Sequence, residues 1–178
     1  MKHFIFILLL ALFSSSCSCL KKNFDSRNSI ALTEANLILL DGKYERLSTQ
    51  QGKNAGDLYW DFFDKGYNSR GNTEFFELKV LNKHKLSVLY IDGNEIVKDK
   101  IVKGKIKSGY FELKRKYLFI PMIFVNLYRD SKFRIRLTND MNLLADYKQI
   151  SFGTIVFLVP FYEKEQETNI IFQRIENR

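Results

Sequence analysis

Few side chains in this sequence could carry chemistry. The thiols are Cys17 and Cys19, on either side of Ser18. The imidazoles are His3 and His84, and His84 sits between Lys83 and Lys85 where a turn is expected. Ser-His-Asp and Cys-His mechanisms need a positioned imidazole, and a lysine-flanked turn histidine reads as solvated. Zinc sites draw on several His or Cys ligands, so no metal site is expected. Paired carboxylates remain: Asp61 with Asp64, and Glu74 with Glu77. A glycosidase needs its two carboxyls across a cleft, about 5–5.5 Å or 6.5–9.5 Å apart. Closeness in sequence does not supply that. Asp57, Asp61 and Asp64 lack the alternate-residue spacing of a calcium loop, and no glycine-rich phosphate loop occurs. The expectation is a protein without catalytic residues, cofactor or metal.

Cys17 is the exception, because its surroundings specify a reaction. Lys2 precedes an apolar run from Phe4 to Phe13, followed by Ser14, Ser15 and Ser16. A positive start, about 7–15 apolar residues and small residues before a cut make a secretory signal. The run is too short to span a bilayer, which takes about 20 residues. Residues 1–16 are therefore expected to be a removed signal peptide. The Ser16-Cys17 junction resembles the lipobox of bacterial lipoproteins. That resemblance implies a diacylglycerol thioether on Cys17, further acylation with chains such as palmitate, and an address in the cell envelope at the outer membrane. The family usually has Leu three residues before the cysteine, where this chain has Ser14. Cys19 after Ser18 is a second candidate, and ordinary cleavage leaving free thiols is the alternative. One acyl chain holds a protein only marginally at about 0.8 kcal/mol per buried CH₂. Two or three chains make attachment effectively permanent.

The elements behind these residues read as follows. Residues 17–36 are polar and aperiodic, a flexible tether; residues 37–178 suffice for one domain. The best helix is 57–65: Asp57 starts it, and Leu58/Phe62 and Tyr59/Phe63 form an apolar face. From Thr73 the period changes to two. Asp92-Gly93 and Ser108-Gly109 mark turns, and Gly104 marks a possible bulge. In Lys132–Thr138, Phe133, Ile135 and Leu137 alternate with Lys132, Arg134 and Arg136. Pro121 lies inside the apolar segment 117–128, which must bend, lie at an edge or split into two strands. The fold expected is mostly β: an antiparallel meander of about 8–10 short strands closing into a barrel or a two-sheet sandwich, with one short helix.

The segments Gly42-Lys43-Tyr44, Lys103–Phe111 and Asn142–Tyr147, with the cysteine junction, resemble those of uncharacterised lipoproteins from AT-rich Gram-negative bacteria. That likeness implies a location and no activity. Gly42-x-Tyr44 and Ala145-Asp146-Tyr147 are also similar, in altered form, to the Gly-x-Trp and Thr-Asp-Tyr of lipocalins, eight-stranded barrels that bind small apolar ligands. An interior cavity lined by Phe75, Tyr90, Phe111 and Phe133 is the corresponding expectation. Net charge is +8. In an exported chain this favours anionic headgroups or wall polymers over nucleic acid. Lys103, Lys105 and Lys107 share one strand face, with Lys98, Lys100, Lys114, Arg115 and Lys116 near in sequence. Two aromatic-apolar segments, 118–124 and 156–162, would offer a patch if turned outward. The expected function is non-enzymatic binding of a small apolar ligand or envelope component. The alternative is a structural lipoprotein that docks another envelope protein.

Overall fold

A computed structural model describes residues 28–49, 56–63, 74–121, 125–155 and 159–175. Residues 1–16, read above as a signal peptide, and Cys17, Cys19 and Asp64 lie outside the described residues. Of the stretch read as a tether, Ser29 and Ile30 form strand β1, and Leu32 is buried in the core.

Turn residues organise the chain. Strands β4 (Lys85–Asp92) and β5 (Glu95–Lys107) join through Gly93, at φ 64°, and Asn94. Strand β6 (Tyr110–Leu113) follows β5 through Ser108 at φ 52° and Gly109 at φ 78°. Two consecutive positive φ values make the hairpin turn whose twist matches its strands. The bulge of β5 lies opposite Tyr90 and Ile91, where Lys98 and Ile96 are the register partners, and not at Gly104. Gly104 is needed for another reason. A Cβ there would come within 2.5 Å of the Phe111 ring.

The remaining elements are a 3₁₀ helix (Leu37–Leu40), β2 (Gly42–Glu45), helix α1 (Leu58–Phe63), β3 (Glu74–Asn82), β7 (Lys116–Pro121), β8 (Val125–Thr138), β9 (Leu143–Ile155), β10 (Val159–Phe172) and β11 (Arg174–Ile175). All ladders are antiparallel, in the order β10-β9-β8-β6-β5-β4-β3-β2-β11, with β1 and β7 also on β8. The architecture is mostly antiparallel β with one lone short helix. The sheet does not close, so it is a sandwich or an open barrel. Its two end strands are separated in the chain by Gln173 alone. Glu45 donates to the Gln173 carbonyl (2.9 Å) and Thr49 to that of Ile171 (3.0 Å), which stitches this seam.

Alternate residues of the strands point inward and meet α1. Phe62 packs on Phe76 and edge-on to Phe133, at ring separations of 5.8 and 5.3 Å. Tyr59 packs edge-on to Tyr90 at 4.8 Å. This overturns the placing of the ligand cavity. Tyr90 and Phe111 are 0 % accessible, so no water-sized space touches them, and Phe133 is buried beside them. Phe75 is on the opposite face from Phe76, beneath Lys43. The short helix fills the space that a barrel ligand would have taken.

The strands are also longer than the sequence pattern indicates. Pro121 ends β7, and the apolar segment splits into β7 and β8. Strands β8, β9 and β10 run 14, 13 and 14 residues. Past the last contacts with β6 they continue with β7 as a four-stranded arm.

Candidate functional site

The arm is the part of the molecule with the least internal use for its apolar residues. Its register puts Phe119 opposite Tyr128, Tyr128 opposite Phe152, and Phe152 opposite Tyr162. Side chains paired across antiparallel strands share a face, so these four rings form one row across β7, β8, β9 and β10. Four strands at about 4.8 Å spacing make that row about 14 Å wide. The Tyr128 and Phe152 rings lie 4.6 Å apart. Phe119 and Tyr162 are 66 % and 67 % exposed, and Phe152 is half exposed. The next row on this outer face is Tyr117, Asp130, Ile150 and Lys164. Single exposed apolar residues are ordinary, but an in-register row is a patch. The outward turn considered for segments 118–124 and 156–162 is thus present at Phe119 and Tyr162; residues 122–124 and 156–158 lie outside the described residues.

The same outer face has a different character toward the domain. Arg134 is bound by Asp146, with Nε and Nη2 each 2.7 Å from Oδ2, and its guanidinium lies 3.9 Å over Tyr110. Lys132 pairs with Glu112 at 3.0 Å. Arg136 is buried with them, 4.7 Å over the same ring. The alternation in Lys132–Thr138 therefore holds, but its charged side is a buried layer in which Lys132 and Arg134 are ion-paired and Arg136 stacks on Tyr110. Buried charge is tolerated where it is paired.

Of the carboxylates singled out for catalysis, Glu74 and Glu77 do not face one another, and Asp64, paired in sequence with Asp61, lies outside the described residues. Glu74 points inward and binds Arg46 Nη1 at 2.6 Å, while Asp57 takes Arg46 Nε and Nη2 at 3.0 and 2.7 Å. Asp57 also caps α1 through the Tyr59 amide (2.8 Å). The two carboxylates raise the Arg46 pKa, and burial plus Glu74 raises that of Tyr90. Glu77, an odd number of residues along β3, is on the other face. Among the described residues no three His, Cys, Asp or Glu gather as metal ligands. His84 is exposed in the β3–β4 turn, as its neighbours indicated.

The basic ribbon divides. Lys103, Lys105 and Lys107 are exposed together on β5. Lys100 and Lys116 instead donate to the Phe62 and Asp61 carbonyls at the end of α1 (2.9 and 3.3 Å), and Lys98 lies over the Phe63 ring. Cations at a helix C-terminus suit its dipole. Arg115 is 3.8 Å from Asp130.

Arg46, Arg174 and the aromatic row escape a reading of the sequence, because each depends on partners far along the chain. No described helix is long and apolar enough to cross a membrane. Comparison of the chain with protein-family models, with curated proteins and with solved structures gives no match.

Proposed function

We propose that this protein is a lipid-anchored lipoprotein of the bacterial cell envelope, held at the outer membrane through Cys17, and that it works by binding and not by catalysis. The anchor rests on Lys2, the apolar run Phe4–Phe13 and the serines before Cys17. The binding role rests on one observation above others, the row Phe119–Tyr128–Phe152–Tyr162 on the arm. Aromatic residues are enriched at the centres of protein interfaces. Two of the carboxylates near α1, Glu74 and Asp57, are occupied by Arg46. The partner is another envelope protein, docked on the outer face of the arm.

Photocrosslinking amino acids placed at Phe152 and Tyr162 in intact cells test this, with Lys103 as the control position. A discrete protein adduct from the arm and none from Lys103 is expected. Adducts to lipid alone, or the same products from all three positions, would overturn it. The lipocalin-like reading places a small apolar ligand inside the barrel, where α1 stands; a second reading, small-molecule binding, draws instead on a cavity on the opposite face of the arm.

A further inference from the structure

The inner face of the arm continues the face that carries Phe133 into the core. Its rows are Lys116, Ser131 and Gln149; then Leu118, Arg129 and Ser151; then Ile120, Leu127, Gly153 and Phe161. At the foot of the arm lies a cavity of about 350 Å³ lined by Lys116, Tyr117, Leu118, Arg129, Ser131, Tyr147 and Gln149. That volume is at the lower end of ordinary ligand sites.

The charge of the lining is one-sided. It holds two cations, Lys116 and Arg129, and no carboxylate. Lys116 is already used at the end of α1. Arg129 has no hydrogen bond or ion pair among the described residues, although its Nε is shielded from solvent. A half-buried guanidinium so placed is unusual. Buried polar groups normally find partners, and one left over in a cavity calls for an explanation. The nearest carboxylates are Asp61, which lines the small adjoining pocket with Lys116, Ser131 and Tyr147 on the side away from Arg129's row, and Glu163 and Glu165 on the sheet face, two strands from Arg129 and Ser131, about 9–10 Å by strand spacing. Ser131 and Gln149 add neutral hydrogen-bonding groups, and Tyr147 donates to Gln149 Oε1 at 2.6 Å.

Beyond Arg129, toward the end of the arm, the face turns apolar. Leu118, Ile120 and Leu127 lie along it. The Phe161 ring lies over Gly153, where a Cβ would meet it at 2.9 Å. A cationic pocket that opens onto an apolar strip matches a molecule with an anionic head and a hydrocarbon tail.

We infer that this cavity binds an anionic amphiphile, its phosphate or carboxylate head on Arg129 and its chain along Leu118, Ile120 and Leu127. A planar guanidinium suits either head, since both offer two oxygens to its fork. The site is on the face of the arm opposite the aromatic row. It needs neither the lipid anchor nor the protein partner.

Native mass spectrometry of the intact protein, released from detergent in the gas phase, reads this directly. The probes are dodecyl phosphate, dodecanol and inorganic phosphate. Dodecyl phosphate is expected to give a one-to-one adduct. Arg129→Gln should weaken it roughly tenfold or more, as expected for the loss of a charge-assisted contact. Lys103→Gln, which removes an exposed cation of the same charge, should leave it unchanged. Leu127→Asn should weaken the adduct without a change in charge. Arg129 has no partner to lose among the described residues, so Arg129→Gln should keep the wild-type melting temperature, which separates lost binding from lost fold. Equal binding of dodecanol, or no effect of Arg129→Gln, would overturn the anionic head. Inorganic phosphate binding as tightly as dodecyl phosphate would overturn the amphiphile.

Discussion

Arg174 does more for this fold than its place near the chain end implies. Its guanidinium donates to the carbonyls of Leu39 and Asp41 at the end of the 3₁₀ helix, and it lies 5.7 Å over the Tyr44 ring. It can do so because residue 42 is glycine; a Cβ there would meet its Nη2 at 2.8 Å. Hydrogen bonds to charged groups contribute roughly 1.5–3 kcal/mol. Arg174→Ala should lower stability by about that much in a urea titration, and Gly42→Ala should do the same by displacing the guanidinium. Asp146 is a second such residue. It accepts from Arg134 and from the Asn169 amide (2.8 Å), so it fixes both the buried charge layer and the bulge of β10. Asp146→Asn leaves buried cations uncompensated and should cost about 3–5 kcal/mol. Tyr44 gives a pH dependence. Burial pushes its pKa up to about 12, and its hydroxyl donates to the Leu40 carbonyl at 3.0 Å. Below pH 10 the phenol is neutral both folded and unfolded, and its contribution is fully present. Between pH 10 and about 12 the unfolded chain ionises first, so stability falls by roughly 3 kcal/mol. Tyr44→Phe should flatten part of that decline; an unchanged slope would show that Tyr44 does not titrate on unfolding. Tyr90, Tyr110 and Tyr128, also raised by burial, would contribute to the remainder.

Among the elements, the β5–β6 hairpin carries a removable strain. Ser108 holds a positive φ that glycine adopts freely. Ser108→Gly should raise stability by about 1 kcal/mol, read from the shift in melting temperature. The arm behaves in the opposite way. Its exposed rings contribute little to folding, so replacing Phe119, Phe152 and Tyr162 together with serine should leave the melting temperature nearly unchanged while abolishing the protein crosslinks formed from the arm in cells. The elements differ in how much of them the sequence discloses. Turns are local, and Asp92-Gly93 and Ser108-Gly109 mark their hairpins with four or fewer residues. The core side of Lys132–Thr138 is equally plain in its alternation. The burial of Arg134 and Arg136 is not, because it depends on Tyr110 and Asp146 from other strands. Arg46 meets Glu74 across 28 positions and Arg174 meets Leu39 across 135. The lining proposed for a ligand cavity failed because hydrophobic alternation identifies an inner face without telling what fills it, and here α1 does.

At the scale of the whole molecule the placement of the two ends of β8 matters most. Strand β1 pairs at Leu137 and Thr138, while the arm leaves at Val125. At about 3.3 Å per residue these points are roughly 43 Å apart. The stretch from Cys17 to Asn28 can extend at most about 40 Å. If Cys17 is fixed in a membrane, as proposed, the far end of the arm cannot fold back to its own anchor point along an upright strand. It must project away or lie flat. On that proposed anchoring, projection would make the molecule a lever with a reach of at most roughly 80 Å, so that a partner would be sought within a bounded volume and not in free solution. Effective concentration within such a volume falls as the connecting chain lengthens. Lengthening the 18–28 stretch with Gly-Ser repeats should therefore weaken arm crosslinks in cells while leaving binding of the detached protein unchanged. For a protein anchored as proposed, the length of the arm and the length of chain before Asn28 would then act as one dimension, the distance from the membrane at which it can work.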